Sequence, residues 1–151
     1  MGKQRIRPIA LGLIEHQGHV FVSQGNDSAS GEVFYRFPGG GIDFGESSID
    51  ALKREFQEEL QADLTNVEYL ACLENIFTCH GKSGHELIQL FRCDFVDQGF
   101  YDVNKVYTLL EGKDKHNAIW IPIEQIRPEG LNLVPKTCHP YVHASWDKNA
   151  T

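Results

Sequence analysis

The sequence predicts an α/β fold in which helices pack on a mixed β-sheet. Two segments near the start, residues 9–14 and 19–24, are rich in apolar residues and predict strands. Residues 47–60 form the one strongly helical segment. Two later segments, residues 67–78 and 85–96, have the β-branched and aromatic content of longer strands. Strands before and after a single central helix are typical of a mixed sheet with packed helices.

The remaining elements are short. His16-Gln17-Gly18 predicts a hairpin turn between the first two strands, and the Ser- and Gly-rich residues 25–32 predict a loop. We further expect strands at 33–37 and 118–121, a brief helix near 123–126 and a terminal helix within 133–146. Residues 101–112 carry no clear pattern. These expectations describe one domain spanning residues 1–151.

The composition of the chain limits the classes of function that it can have. The chain has 151 residues, 41% hydrophobic and 23% charged, which is typical of one globular domain. A formal net charge of -7 makes nucleic acid an unfavoured partner, because a non-specific nucleic-acid binder normally carries a basic face. It does not exclude a small phosphorylated ligand, since a divalent metal can supply positive charge. No apolar run reaches the roughly 18 residues of a membrane span, and no signal peptide is recognisable, so we expect a cytoplasmic protein.

Four cysteines are present, without a CxxC pair and without the spacing of a zinc site: Cys72, Cys79, Cys93 and Cys138. In a reducing cytosol we expect all four to be buried thiols that behave as small hydrophobic side chains.

The predicted helix carries a buried stripe and an acidic edge. At about 100° per residue, one narrow arc holds the apolar residues Ile49, Leu52, Phe56 and Leu60. A neighbouring arc holds Glu55, Glu58 and Glu59, and Ser47 with Asp50 resembles a capping box. Like charges at this spacing oppose the helix by about 0.2–0.5 kcal/mol per pair. A solvated acidic face is one interpretation; a Mg²⁺ site is the other, because Mg²⁺ prefers oxygen ligands.

A glycine-rich segment precedes the helix, Pro38-Gly39-Gly40-Gly41, followed by Gly45. Glycines let the backbone approach a ligand closely, so peptide groups here could reach a metal or a phosphate. The segment is neither a Walker loop nor a dinucleotide fingerprint.

The spacing of these residues is specific. From Gly40, five residues lead to Glu46 and seven more to Arg54-Glu55, followed by Phe56 and then Glu58-Glu59. This resembles the Nudix box, in which Gly-x5-Glu-x7-Arg-Glu-U-x-Glu-Glu-x-Gly-U is the pattern and U is a bulky apolar residue. The resemblance runs from Gly40 to Ala62. Gln61 stands where the box has Gly, so the helix end either adopts a strained left-handed conformation or runs on another turn.

The resemblance implies an α/β/α sandwich that binds Mg²⁺, with Mn²⁺ as an alternative. It implies hydrolysis, by metal-activated water, of a phosphoanhydride in a nucleoside diphosphate linked to another group. By position, Glu55, Glu58 and Glu59 match the metal-binding set, and the backbone carbonyl of Gly39 contributes a further oxygen. Glu46 and Arg54 match a supporting salt bridge between loop and helix.

Other roles stay open. Glu55 is our first choice of general base and Glu86 our second; Glu86 could equally be a charged residue at the start of a strand. Arg36 could contact a phosphate or cap a strand edge, and the backbone of Gly40 and Gly41 is a further candidate for substrate contact.

Two other functions compete with this pyrophosphohydrolase. One is a Nudix-like module that senses a nucleotide without hydrolysing it, although such modules typically lose carboxylates that this chain keeps. The other is an RNA 5′-end pyrophosphohydrolase, which the net charge of -7 disfavours. The sequence does not choose among nucleotide derivatives, the bond cut or the number of metals. It does not choose between monomer and homodimer.

Overall fold

The structure is a computed structural model that describes residues 4–142. Within that range the chain forms nine strands and one helix longer than a single turn. In chain order these are β1 (Arg7–Leu13), β2 (Glu15–His16), β3 (His19–Asn26), β4 (Val33–Arg36), β5 (Gly39–Gly41), α1 (Ser48–Leu60), β6 (Leu64–Cys79), β7 (Lys82–Phe95), β8 (Tyr107–Glu111) and β9 (Asp114–Pro122). Single 3₁₀ turns lie at Gln98–Phe100, Ile123–Gln125 and Lys136–Cys138.

The strands form two sheets. The first has the order β5-β1-β7-β6; β1 runs parallel to β7, and the other pairs are antiparallel. The mixed sheet predicted from the sequence is therefore confirmed. The second sheet, β2-β3-β9-β8 with β4 also paired to β3, is antiparallel throughout. The sequence did not predict the division into two sheets, because strand partners are set by long-range pairing.

Strand β1 shows how the layers are built. Ala10 packs in one hydrophobic cluster, together with α1 residues, whereas Ile9 and Leu11 pack in a second cluster on the opposite face. Successive strand residues point to opposite faces, so an apolar run buried on both sides is the expected sequence of a central strand. Residues 123–142 contribute to the second cluster. Helix α1 and this later segment thus pack into different clusters of the core.

Most predicted elements are present with shifted ends. Gln17 and Gly18 both have positive φ, as the predicted hairpin turn requires. Strands β6 and β7 are longer than predicted, and the unassigned residues 101–112 contain β8. The brief helix near 123–126 is only a 3₁₀ turn. The predicted terminal helix begins after the turn Lys136–Cys138 and is helical through residue 142; its remainder lies outside the described residues.

The cysteine prediction is half right. Cys93 and Cys138 are buried, and burial raises the pKa of each thiol to about 12, so both are inert. Cys72 is exposed and Cys79 is half-buried. Both lie on β6, the edge strand of the first sheet, where alternate residues face solvent. No helix among the described residues is long and apolar enough to cross a membrane.

Candidate active site

Helix α1 sets the position of the candidate carboxylates. The Ser47 side chain caps the helix by accepting a hydrogen bond from the Asp50 amide at 3.2 Å. The helix buries Ala51, Leu52, Phe56 and Leu60 against the sheets. Ile49, which the sequence placed on this apolar face, is 37% exposed, so the prediction is wrong for this residue. The acidic edge begins at Glu55, beside the buried stripe.

The end of α1 answers the question raised by Gln61. This residue adopts a left-handed conformation, with φ 51° and ψ 41°, and its amide donates to the Gln57 carbonyl at 3.0 Å. The helix therefore ends where the Nudix box has glycine, instead of running on another turn. A non-glycine residue there carries about 1–2 kcal/mol of strain.

Arg54 connects the glycine loop to the helix. Its guanidinium donates to both carboxylate oxygens of Glu46, at 2.7 and 2.9 Å, and to the Gly41 carbonyl at 2.9 Å. The same side chain donates to Glu55 at 2.9 Å and to Glu58 at 3.3 Å. The bond from Arg54 lowers the pKa of Glu46 to about 2. The expected Glu46–Arg54 ion pair is thus present, as one part of a larger network.

The glycine segment lies directly against α1 and β1. Gly39 has φ +142°, and a side chain there would overlap the backbone of Ala10. A side chain at Gly40 would overlap the Glu55 carboxylate. Glycine is therefore required at position 39, where the overlap is with backbone, whereas a side chain at position 40 would displace the Glu55 carboxylate. Both contacts hold the backbone of the loop next to the acidic edge of the helix.

Glu55 and Glu59 meet at the wall of a cavity of about 640 Å³, which Gly39 and Gly40 also line. Glu59 is 5% exposed. Glu58 lies outside the set of described residues that line this cavity; its side chain is 59% exposed and directed to Arg54. The structure thus brings two of the three predicted carboxylates to the cavity and leaves the third at its outer margin.

Burial is the main cause of the shifted pKa values of Glu55 and Glu59. Desolvation, reinforced by the negative charges of Glu55 and Glu111, raises the pKa of Glu59 to about 8, although the Gly39 amide acts in the opposite direction. Desolvation also raises the pKa of Glu55, while Arg54 counteracts part of that effect. Both carboxylates are thus harder to ionise than exposed ones. A bound cation would stabilise their ionised forms.

The site fits a hard divalent cation. Within the described residues, Oε1 of Glu59 is buried and has no hydrogen-bond partner. A buried polar atom without a hydrogen-bond partner is uncommon in folded proteins, and a bound ion is one explanation of it. Glu55 supplies a second carboxylate on the same wall, and all of these donors are oxygen, the ligand type that Mg²⁺ and Mn²⁺ prefer.

Glu86 and Arg36 form a separate arrangement. Glu86 is buried and accepts hydrogen bonds from Arg36 at 2.7 Å and from Asn75 at 3.2 Å. Arg36 lines the cavity, whereas Glu86 lies outside the described residues that do so. The structure therefore holds the second candidate base in an ion pair with Arg36, and Arg36 itself lines the cavity.

Sequence reasoning missed several cavity-lining residues. Glu111, at the end of β8, contributes to the raised pKa of Glu59, and His116 on β9 lies 3.9 Å from the Glu111 carboxylate. Arg7 on β1 also lines the cavity, and its charge acts to lower the pKa of Glu55. Glu111 lies in residues 101–112, for which the sequence predicts no element. Gly112, at the first position of the two-residue turn between β8 and β9, was the one available signal.

Comparisons with known proteins agree with this fold. The NUDIX domain family matches residues 3–141. An RNA pyrophosphohydrolase of Wolbachia sp. subsp. Brugia malayi (strain TRS) is 33% identical over 116 residues, which is 70% of each chain. The crystal structure of a MutT NUDIX hydrolase from Burkholderia pseudomallei is similar with a TM-score of 0.65 and 19% identity, over 93% of this chain and 98% of that one. A NUDIX hydrolase from Nitrosomonas europaea is similar with a TM-score of 0.66 and 16% identity, over 96% and 90%.

These matches identify first a class: a Nudix-fold hydrolase in which a glycine loop and an acidic helix edge line one cavity. The chain belongs to the Nudix family, and its enzyme type is a Nudix pyrophosphohydrolase.

Changing Arg54 tests the network that orients the carboxylates. We expect Arg54→Lys to lower kcat by about 10–100-fold, the usual effect of losing a partner that orients ligand side chains. Lysine keeps the charge but cannot donate to Glu46, Glu55 and the Gly41 carbonyl together. Steady-state kinetics measures the effect. Arg92→Lys is the matched control, since Arg92 pairs with Glu15 and Glu68 at longer distances of 3.8 and 3.7 Å. Equal kcat for the two variants would contradict the role of Arg54.

Proposed function

We propose that this protein hydrolyses a phosphoanhydride bond in a small nucleoside diphosphate derivative, with Mg²⁺ as cofactor and Mn²⁺ as the alternative. One observation carries the proposal: the buried, unpaired Glu59 oxygen lies beside Glu55 in the wall of a cavity large enough for a nucleotide. Burying two carboxylates together is costly unless a cation or a proton neutralises them.

The ligand set follows from exposure and position. Glu59 and Glu55 line the cavity and are the inner ligands. The Gly39 carbonyl is the proposed backbone ligand, because Gly39 lines the same cavity, whereas the Gly39 amide donates to Glu59. Glu58 is the outer member of the set, because it shares the guanidinium of Arg54 with Glu55. Glu46 and Arg54 act as positioning residues that keep the loop and the helix together.

Glu55 is the general base in this proposal. It lines the cavity directly, in the space where water and substrate would meet. When bound, the cation neutralises phosphate oxygens and lowers the pKa of water. Glu86 is the alternative base, but it could act only after Arg36 releases it from their 2.7 Å ion pair.

Cationic side chains offer contacts for the substrate phosphates. Arg7 and Arg36 line the same cavity as Glu55 and Glu59, and the backbones of Gly40 and Gly41 lie beside them. Gly40 lines the cavity, whereas the Gly41 carbonyl is engaged by Arg54. The same lining carries four acidic residues, Glu55, Glu59, Glu111 and Asp114, so the two arginines need a bound cation beside them to hold a phosphorylated ligand.

RNA 5′-end hydrolysis is the second candidate. The supporting observation is the 33% identity to a protein named RNA pyrophosphohydrolase. The acidic net charge disfavours a long polyanion, because RNA binding depends on releasing counterions through basic contacts. We therefore rank it below a small nucleotide.

A substrate panel with product analysis tests the proposed function. Purified protein with Mg²⁺ is incubated with nucleoside triphosphates, nucleotide sugars, ADP-ribose, dinucleoside polyphosphates and triphosphorylated or capped RNA. We expect turnover of a small nucleotide, and the release of orthophosphate, pyrophosphate or a nucleoside monophosphate identifies the bond cut. Turnover of RNA alone would establish the second candidate instead. Tight binding of a nucleotide without turnover would contradict hydrolysis and favour a sensing module.

A further inference from the structure

We propose that Asp27, Cys79 and His80 form a second metal site, which binds Zn²⁺. One ligand atom from each of the three residues lies within 4.8 Å of the others. Asp27 follows β3, Cys79 ends β6, and His80 begins the turn into β7. The cluster is separate from the carboxylates of α1 and is built from a different chemistry.

The two loops that carry these residues are already held together. The His80 amide donates to Oδ1 of Asp27 at 3.0 Å, and the Ala29 amide donates to the same oxygen at 2.9 Å. The Ser28 amide donates to Nδ1 of His80 at 3.1 Å, and Ser28 Oγ lies 2.7 Å from the same nitrogen, so the imidazole ring is held in place. The ligand residues are therefore partly ordered before an ion binds. Metal-ligating histidines in known sites donate a hydrogen bond from their second ring nitrogen, whereas Nδ1 of His80 accepts one here, so ion binding requires this hydrogen bond to be released.

The donor set selects the ion. A thiolate, an imidazole and a carboxylate suit Zn²⁺, whereas Mg²⁺ prefers oxygen ligands alone. Ligand atoms around tetrahedral Zn²⁺ lie roughly 3.3–3.8 Å apart, as bond lengths of about 2.0–2.3 Å require. Closing the cluster from 4.8 Å thus takes a movement of about 1 Å. Three protein ligands leave the fourth position to water or another donor.

At this position a bound ion would connect two loops of the structure. Cys79 and His80 line the cavity that contains Glu55 and Glu59, while Asp27 and Cys79 line a neighbouring cavity of about 460 Å³. Zn²⁺ would therefore join the loop after β3 to the β6–β7 turn at the boundary of the two cavities. The three ligands are half-buried or exposed, so the ion can enter from solvent.

Cobalt binding tests this site independently of hydrolysis. Co²⁺ is titrated into the reduced protein, and absorption in the near ultraviolet reports a cobalt–thiolate bond. We expect this band in the wild type, its loss on adding Zn²⁺, and its absence in Cys79→Ser. Asp27→Asn should keep the band and weaken Co²⁺ binding by about 10–100-fold. Binding at the α1 carboxylates gives no thiolate band, so Glu59→Gln should keep the signal even if it abolishes hydrolysis.

Cys72→Ser is the matched control, because Cys72 is an exposed thiol on the same strand and outside the cluster. It should behave as the wild type. Absence of the band in the wild type, its survival in Cys79→Ser or its loss in Cys72→Ser would each overturn the proposal. Circular dichroism of every variant establishes that a lost band does not come from unfolding.

Discussion

Glu59→Gln is expected to lower kcat by about 10²–10³-fold, the scale of removing one charge-stabilising group from an active site. Glutamine keeps the size of the side chain and its position in the cavity wall. It removes the negative charge and replaces one carboxylate oxygen by an amide nitrogen, which does not bind a cation. Because Oε1 of Glu59 is buried and unpaired, no other described contact depends on that atom. The loss therefore reports the active site and not the packing of α1.

Two further substitutions provide a comparison for the kcat of Glu59→Gln. Glu124→Gln, at an exposed position in the turn Ile123–Gln125, is the matched control and should leave kcat unchanged. Glu58→Gln should reduce kcat less than Glu59→Gln does, since Glu58 lies at the outer margin of the site. If Glu59→Gln turned over substrate as fast as Glu124→Gln, the active site would be misplaced.

Glu59 also makes the metal-free protein less stable at high pH. Its pKa is about 8 in the folded state against 4.5 for the ordinary side chain. Between these values the folded state binds more protons than the unfolded state, so this group costs stability as the pH rises from about 4.5 to 8. Below 4.5 both states are protonated and the cost vanishes. One pKa unit corresponds to about 1.4 kcal/mol, so the cost reaches a few kcal/mol above pH 8.

Replacing Glu59 by Gln removes this cost. We expect metal-free Glu59→Gln to have a higher free energy of unfolding than the wild type. This excess should be larger at pH 9 than at pH 5, by on the order of 3 kcal/mol. Urea denaturation at the two pH values, with chelator present, measures the difference. Mg²⁺ should stabilise the wild type more at pH 9 than at pH 5, because a cation competes with the proton for Glu59. A difference between variant and wild type that is the same at both pH values would contradict the buried, protonated Glu59.

Local patterns predicted the part of the site that one helix builds. The spacing of apolar residues and the Ser47 cap placed Glu55 and Glu59 at the edge of the buried face of α1, where the structure has them. The loop position of Gly40 followed from the same motif. These features depend on residues close in sequence, for which helical periodicity is sufficient.

The parts of the site that the sequence did not predict depend on contacts between residues far apart in the chain. Glu86 meets Arg36 across 50 positions, and His80 meets Ser28 across 52. Glu111 reaches the cavity only because β8 pairs with β9 in the second sheet. Cys79 was expected to be buried, but the edge position of β6 leaves it half-buried and beside Asp27. Such contacts depend on strand order, which local spacing does not specify.

A Mg²⁺ titration of turnover tests the proposed active site most directly. The wild type and Glu59→Gln are assayed on the nucleotide that the panel identifies, from chelator alone to saturating Mg²⁺. The proposal predicts that wild-type turnover is absent with chelator and rises to saturation with Mg²⁺, while Glu59→Gln stays at least about 10²-fold lower throughout. Wild-type turnover that is independent of divalent metal, or equal in the two proteins, would contradict it.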